Sequence, residues 1–175
     1  MDTRASTIEV RLGSSAQLFN SMDPSPFHER DLDRDAEAFI VGWARELPRE
    51  SRLRILVTLR SAEDEALPSR VRDSVRNYFG ARETALRREL RLLLEEGRMT
   101  LAIGLAFLGA VLTLARLVPV DAAWGGIVRE GLTICGWVGM WRPIEIHLYR
   151  WWPLRREARL HRRLAEAEVE VRAGA

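Results

Sequence analysis

The chain contains no lysine: all 27 of its basic residues are arginine. A need for guanidinium chemistry would not remove every surface lysine, so the bias points to a GC-rich bacterial coding sequence rather than to a function. Cysteine is almost as scarce. The single Cys135 excludes an internal disulfide, and inside an apolar stretch it reads as a small packing side chain. The three histidines, His28, His147 and His161, lie far apart without carboxylate or cysteine at ligand spacing, so no metal site is expected. Gly13-Ser14-Ser15 and Gly125-Gly126 lack the other glycine and lysine positions of a phosphate loop. Serine-nucleophile and Cys–His arrangements are absent as local motifs. The expectation is a protein that is not an enzyme and carries no cofactor. The first 30 residues hold no apolar core behind a basic start, which predicts no cleaved signal peptide.

What the chain does have is a long apolar run. Met99 to Val118 carries one charge, Arg116, and as a helix reaches roughly 30 Å, the hydrocarbon thickness of a bilayer. It ends at Val118-Pro119-Val120-Asp121, and a second apolar stretch rich in Gly and Trp follows. The pair reads as a transmembrane hairpin. A composition of 47% hydrophobic and 30% charged residues, with a net charge of +2, fits one greasy part and large solvated ones. Arg82, Arg87, Arg88, Arg91 and Arg98 precede the first span. Arg142, Arg150, Arg155, Arg156, Arg159, Arg162 and Arg163 follow the second, and only Arg116 and Arg129 lie between. Positive charge stays inside, so the expected location is the bacterial inner (plasma) membrane, multi-pass, with both termini cytoplasmic.

The second span admits two placements. Residues 122–141 would submerge Arg129 and Glu130, whereas Gly131 to about Tyr149 would submerge Arg142, Glu145 and His147. Either Arg129 and Arg142 snorkel to opposite interfaces, or the set Arg129, Glu130, Arg142 and Glu145 forms an intramembrane polar site. Ala102, Ala106 and Ala110 on one helix, and Gly131, Cys135 and Gly139 on the other, recur at four-residue steps that suit close helix packing. Trp124, Trp141, Trp151 and Trp152, with Arg155 and Arg156, fit the lipid interface, and Trp137 fits either the interface or the packing face.

The remaining sequence predicts a mainly α, α+β protein with a small cytoplasmic α/β domain. Ile8, Val10 and Leu12 alternate with Glu9 and Arg11 as a half-buried strand. Asp33 is placed to cap a helix with Asp35 and Glu37 in its first turn; Ala36, Phe39, Ile40, Trp43 and Leu47 form its apolar face, and Pro48 closes it. His28, Glu29, Asp31, Asp33 and Asp35 could also gather a divalent cation, but the glycine and distal glutamate of a calcium loop are missing. Leu53 to Leu59 alternates as a second strand. Leu67, Val71, Val75, Tyr78, Phe79, Leu86, Leu90, Leu93 and Leu94 then mark a long amphipathic stalk helix entering the first span. Leu154 to about Glu166 is helical in pattern. Residues 167–172 alternate again, and a strand there would complete the sheet, a role that pairing between subunits could also fill. The resulting segments are 1–63 (cytoplasmic domain), 64–98 (stalk), 99–152 (hairpin) and 153–175 (basic helix and strand).

Trp141-Arg142-Pro143-Ile144-Glu145-Ile146-His147-Leu148-Tyr149-Arg150-Trp151-Trp152-Pro153 and Asp23-Pro24-Ser25-Pro26-Phe27-His28-Glu29-Arg30-Asp31-Leu32-Asp33 carry a resemblance. Over most of its length the chain resembles an uncharacterised bacterial family of small two-span membrane proteins. That family has no activity to carry over, so the resemblance implies localisation only.

Two functions follow as expectations. One is a homo-oligomeric structural or docking module whose partners are the lipid bilayer, further copies of itself and an unknown protein. The other is a small oligomeric channel or transport component with a polar path near Arg129/Glu130 or Arg142/Glu145. No nucleic-acid partner is expected, because Glu157, Glu166, Glu168 and Glu170 dilute the basic C-terminal segment and lipid headgroups lie nearer.

Overall fold

The structure is a computed structural model that describes residues 6–24, 26, 30–60, 67–119 and 124–173. The chain is mainly helical with one small parallel sheet. It divides into two units: residues 1–86 with 156–175, and residues 87–155.

In the first unit β1 (Ser6–Leu12), α1 (Arg34–Glu46) and β2 (Leu53–Leu59) form a β-α-β element. The third strand, β3 (Glu168–Ala173), adds to the far side of β2, so β2 is central. Both pairings are parallel, with Ile8 opposite Ile55 and Ile55 opposite Val169. The expected C-terminal strand is present and pairs within the same chain.

Alternation buries one face. Ile8 and Val10, then Leu53, Ile55, Val57 and Leu59, then Val169 point into the core, while Glu9, Arg54 and Glu168 point outward. Three helical segments cover the apolar face. Ala36, Ile40, Val41 and Ala44 come from α1; Val71, Val75 and Phe79 come from the start of α2 (Leu67–Leu117). Leu160 and Leu164 come from α5 (Trp151–Ala165). The first turns of the expected stalk are therefore core of the α/β unit. A sheet apolar on one side only needs one helical layer.

Local chemistry explains the edges. Asp33 Oδ1 accepts from the Asp35 amide at 2.9 Å, so the cap expected from sequence forms, and such caps contribute about 1 kcal/mol. Asp31 donates its amide to Asp23 Oδ2 at 2.8 Å, and Phe19 bridges Leu32, which ties the turn-rich segment to the start of α1. The other proposed members of the acidic cluster, His28 and Glu29, lie outside the described residues. Phe39 and Trp43 depart from expectation. They form a tilted pair 6.2 Å apart on the solvent side of α1, because Val41 and Ala44, rather than these rings, complete its buried stripe.

Candidate membrane segment

In the second unit α2 supplies residues from Arg87 onward. A return path follows through α3 (Gly125–Gly139), α4 (Trp141–Glu145), a π-helical turn (Ile146–Arg150) and the first turns of α5. By length and composition α2 can cross a membrane, and only 11% of its most apolar stretch is buried. Ile103, Leu105, Phe107, Leu114 and Leu117 are exposed, as are Ile127, Ile134, Trp137, Val138 and Trp141 on the return path. Monomeric soluble proteins rarely expose so extended an apolar surface.

The two arms run antiparallel and touch through glycines. A Cβ on Gly97 would lie 2.8 Å from Ile146 Cγ2, and one on Gly136 would lie 2.7 Å from Leu108 Cδ1. At Gly104 a Cβ would meet Met140 Sδ at 3.0 Å and the Gly139 carbonyl oxygen at 3.5 Å. Leu93, Val111, Ala115, Met140, Pro143 and Ile146 are buried along this seam. Pro143 has no N–H for the Gly139 carbonyl, and the helix breaks at Met140, whose amide bonds Trp137 instead at 3.0 Å.

This seam is not the face expected from the sequence. Ala102, Ala106 and Ala110 are exposed, and so are Gly131 and Cys135; a Cβ on Gly131 would meet nothing within 4 Å. Gly139 does meet the opposite arm, against the Phe107 ring. On α2 the contact stripe runs through Gly97, Gly104, Val111 and Ala115, a different helical face from the alanines.

The candidate polar residues separate into two levels. Arg142 lies 3.0 Å from Glu96 and 3.7 Å from Glu145, which joins the arms where the apolar run of α2 begins. Arg129 and Glu130 are exposed, and neither they nor Arg116 make an ion pair among the described residues. Extending the Gly136–Leu108 register by seven residues sets Arg129 about level with Arg116, near the far end of α2. The two candidate pairs are thus not brought together. Of the interface residues, Trp124, Trp141 and Trp152 are exposed. Trp151 is half-buried, donates from Nε1 to the His147 carbonyl at 2.8 Å, and has Arg155 over its ring at 5.6 Å; Arg156 is exposed.

One constellation escaped sequence reasoning. In the α/β unit Glu37 receives the Tyr78 hydroxyl and lies 3.5 Å from Arg82 and 4.0 Å from buried His161 Nε2. Burial, then the Glu37 hydrogen bond, pushes the Tyr78 hydroxyl well above the ordinary phenol range, so it stays a donor. His161 Nδ1 donates to the Glu157 carbonyl at 3.0 Å, and Glu157 also pairs with Arg45. Arg163 donates to the Pro48 and Ser51 carbonyls at 2.8 and 3.1 Å, and burial lowers its guanidinium below the usual value. These contacts join α1, α2 and α5. The 40-residue and greater separations of the partners hide the set from any motif. Comparison with protein-family models, with curated proteins and with solved structures gives no match.

Proposed function

We propose that the chain is an integral inner-membrane protein with two spans, acting as a homo-oligomeric structural or docking module whose α/β unit faces the cytoplasm. The observation that carries this reading is the exposed apolar surface of both arms, bounded by charge at two levels. From Gly125 to Glu145 the return path is helical apart from the Met140 turn, and 21 residues of helix rise roughly 31 Å. That length favours a second span over these residues, with Arg129 and Glu130 near its outer end and Arg142 and Glu145 at its inner end. Side chains of α3 lean toward its N-terminus, so Arg129 reaches the outer interface. The arginine surplus before α2's apolar run and after Glu145 supports cytoplasmic termini.

The pairing of Arg142 with Glu96 and Glu145 supports a tie between helices rather than a conducting path. Ala102, Ala106 and Ala110, exposed among the described residues, offer a close-approach face to another copy. Native mass spectrometry of the protein from detergent or lipid particles tests the assembly. Two or more copies are expected, and a monomer at all concentrations would overturn the homo-oligomer. Four or more copies would instead make a central pore geometrically feasible, and Glu145→Gln would then be read for ion flux.

A further inference from the structure

We propose that the groove on α2 lined by Arg87, Leu90, Arg91, Leu94, Arg98 and His147 holds the phosphate headgroup of an anionic phospholipid. This inference rests on the membrane reading above. The groove measures about 480 Å³, within the range of small-ligand sites, and its lining contains no carboxylate. Of the acidic residues on the same helix stretch, Glu89 and Glu96 line a separate groove, and Glu95, one turn from Arg91 and Arg98, is in neither lining. Arg91 and Arg98 make no ion pair among the described residues, so their guanidinium groups are open to a ligand's phosphate. His147 Nδ1 donates to the Pro143 carbonyl at 2.8 Å, which fixes the ring in the lining of the groove.

The choice of a lipid over free phosphate comes from what adjoins the arginines. Positions seven apart lie close to one helix line. The line through Arg91 and Arg98 continues to Leu105 and Leu112, both exposed, and the line through Arg87 and Leu94 continues to Leu101, half-buried. One stripe therefore changes from cationic to apolar where the apolar run begins. An amphiphile with one phosphate and two acyl chains matches both halves, whereas a soluble phosphate engages only the first.

The test measures binding of phosphatidylglycerol and phosphatidylcholine to the full chain in detergent, by native mass spectrometry. Saturable binding of phosphatidylglycerol in preference to phosphatidylcholine is expected. Arg91→Gln/Arg98→Gln should weaken it about tenfold or more, and Arg91→Lys/Arg98→Lys should retain most of it. Arg11→Gln/Arg76→Gln, which removes the same charge from exposed sites elsewhere, should change it by less than about twofold. Equal losses in the two glutamine variants would overturn the site in favour of diffuse charge. Displacement of the lipid by millimolar inorganic phosphate would overturn the lipid as occupant. Carbonate extraction of membranes is run beside it. A protein that stays embedded yet shows no headgroup preference sinks this site alone, while one released to the soluble fraction sinks the membrane reading.

Discussion

Phe79→Ala is expected to cost about 3–5 kcal/mol and to unfold the α/β unit at a temperature about 10–20 °C lower. Phe79 is fully buried where α2 meets the sheet, packed edge-on to Tyr78 at 5.4 Å and beside His161 at 5.9 Å. Its removal leaves a cavity under a layer fixed on several sides by backbone, so collapse recovers little of the loss. Domains of this size are stable by only about 5–15 kcal/mol, so the deficit is a large fraction of the whole. Thermal unfolding followed by proteolysis of the full chain in detergent reads the effect. Phe39→Ala, on the exposed side of α1, serves as the control and should shift the transition little. Equal shifts would show that the unit's core does not run through α2.

Gly104→Leu is the second large effect, and it acts on the other unit. A Cβ at position 104 already meets Met140 Sδ at 3.0 Å and approaches the Gly139 carbonyl, and the rest of a leucine would drive the arms apart. Overpacking of this kind costs about 1–3 kcal/mol or more. Separation also uncovers the Gly139 carbonyl, which Pro143 leaves without its helical donor, and under the proposed membrane placement that exposure adds to the cost. Gly109→Leu makes the same chemical change where a Cβ meets nothing within 4 Å. It should be neutral or mildly stabilising, since glycine is about 1 kcal/mol worse than alanine inside a helix. Detergent or SDS titration of helix association separates the two. Gly109→Leu as damaging as Gly104→Leu would place the seam on the wrong face.

Much of the fold was legible because short-range rules decided it. Asp33 caps α1 because its carboxylate reaches an amide two residues on, an interaction local enough to read from spacing. Leu53 to Leu59 and Val169 alternate because one face is buried, and that period survives in the sequence. The strand direction was not legible. Alternation is the habit of one-sided antiparallel sheets, and here it marks a parallel sheet that, among the described residues, is covered by helices on its apolar face.

The packing face of the arms failed for a different reason. In the apolar run of α2 the four-residue step of small residues marks Ala102, Ala106 and Ala110, whereas the partner arm meets a stripe whose glycines, Gly97 and Gly104, stand seven apart and carry no such pattern. Gly104 and Val111 meet bulky Met140, Pro143 and the α3 glycines, while Ala102, Ala106 and Ala110 stay exposed. Phe39 and Trp43 lay at helical spacing with Ile40, yet the buried arc of α1 runs through Ala36, Ile40, Val41 and Ala44, to one side of the two rings. The Glu37, Tyr78, Arg82 and His161 set has no sequence signature at all, because three helices bring it together.

The central claim, two spans with both ends on the cytoplasmic side, is tested most directly by cysteine labelling in intact cells. In a Cys135→Ala background, single cysteines replace Ser14, Gly126 or Glu166, and a membrane-impermeant maleimide is added before or after lysis. The account predicts that Gly126→Cys labels in intact cells, whereas Ser14→Cys and Glu166→Cys label only after lysis. Labelling of Ser14→Cys and Glu166→Cys on opposite sides of the membrane, or recovery of the protein in the soluble fraction, would contradict it.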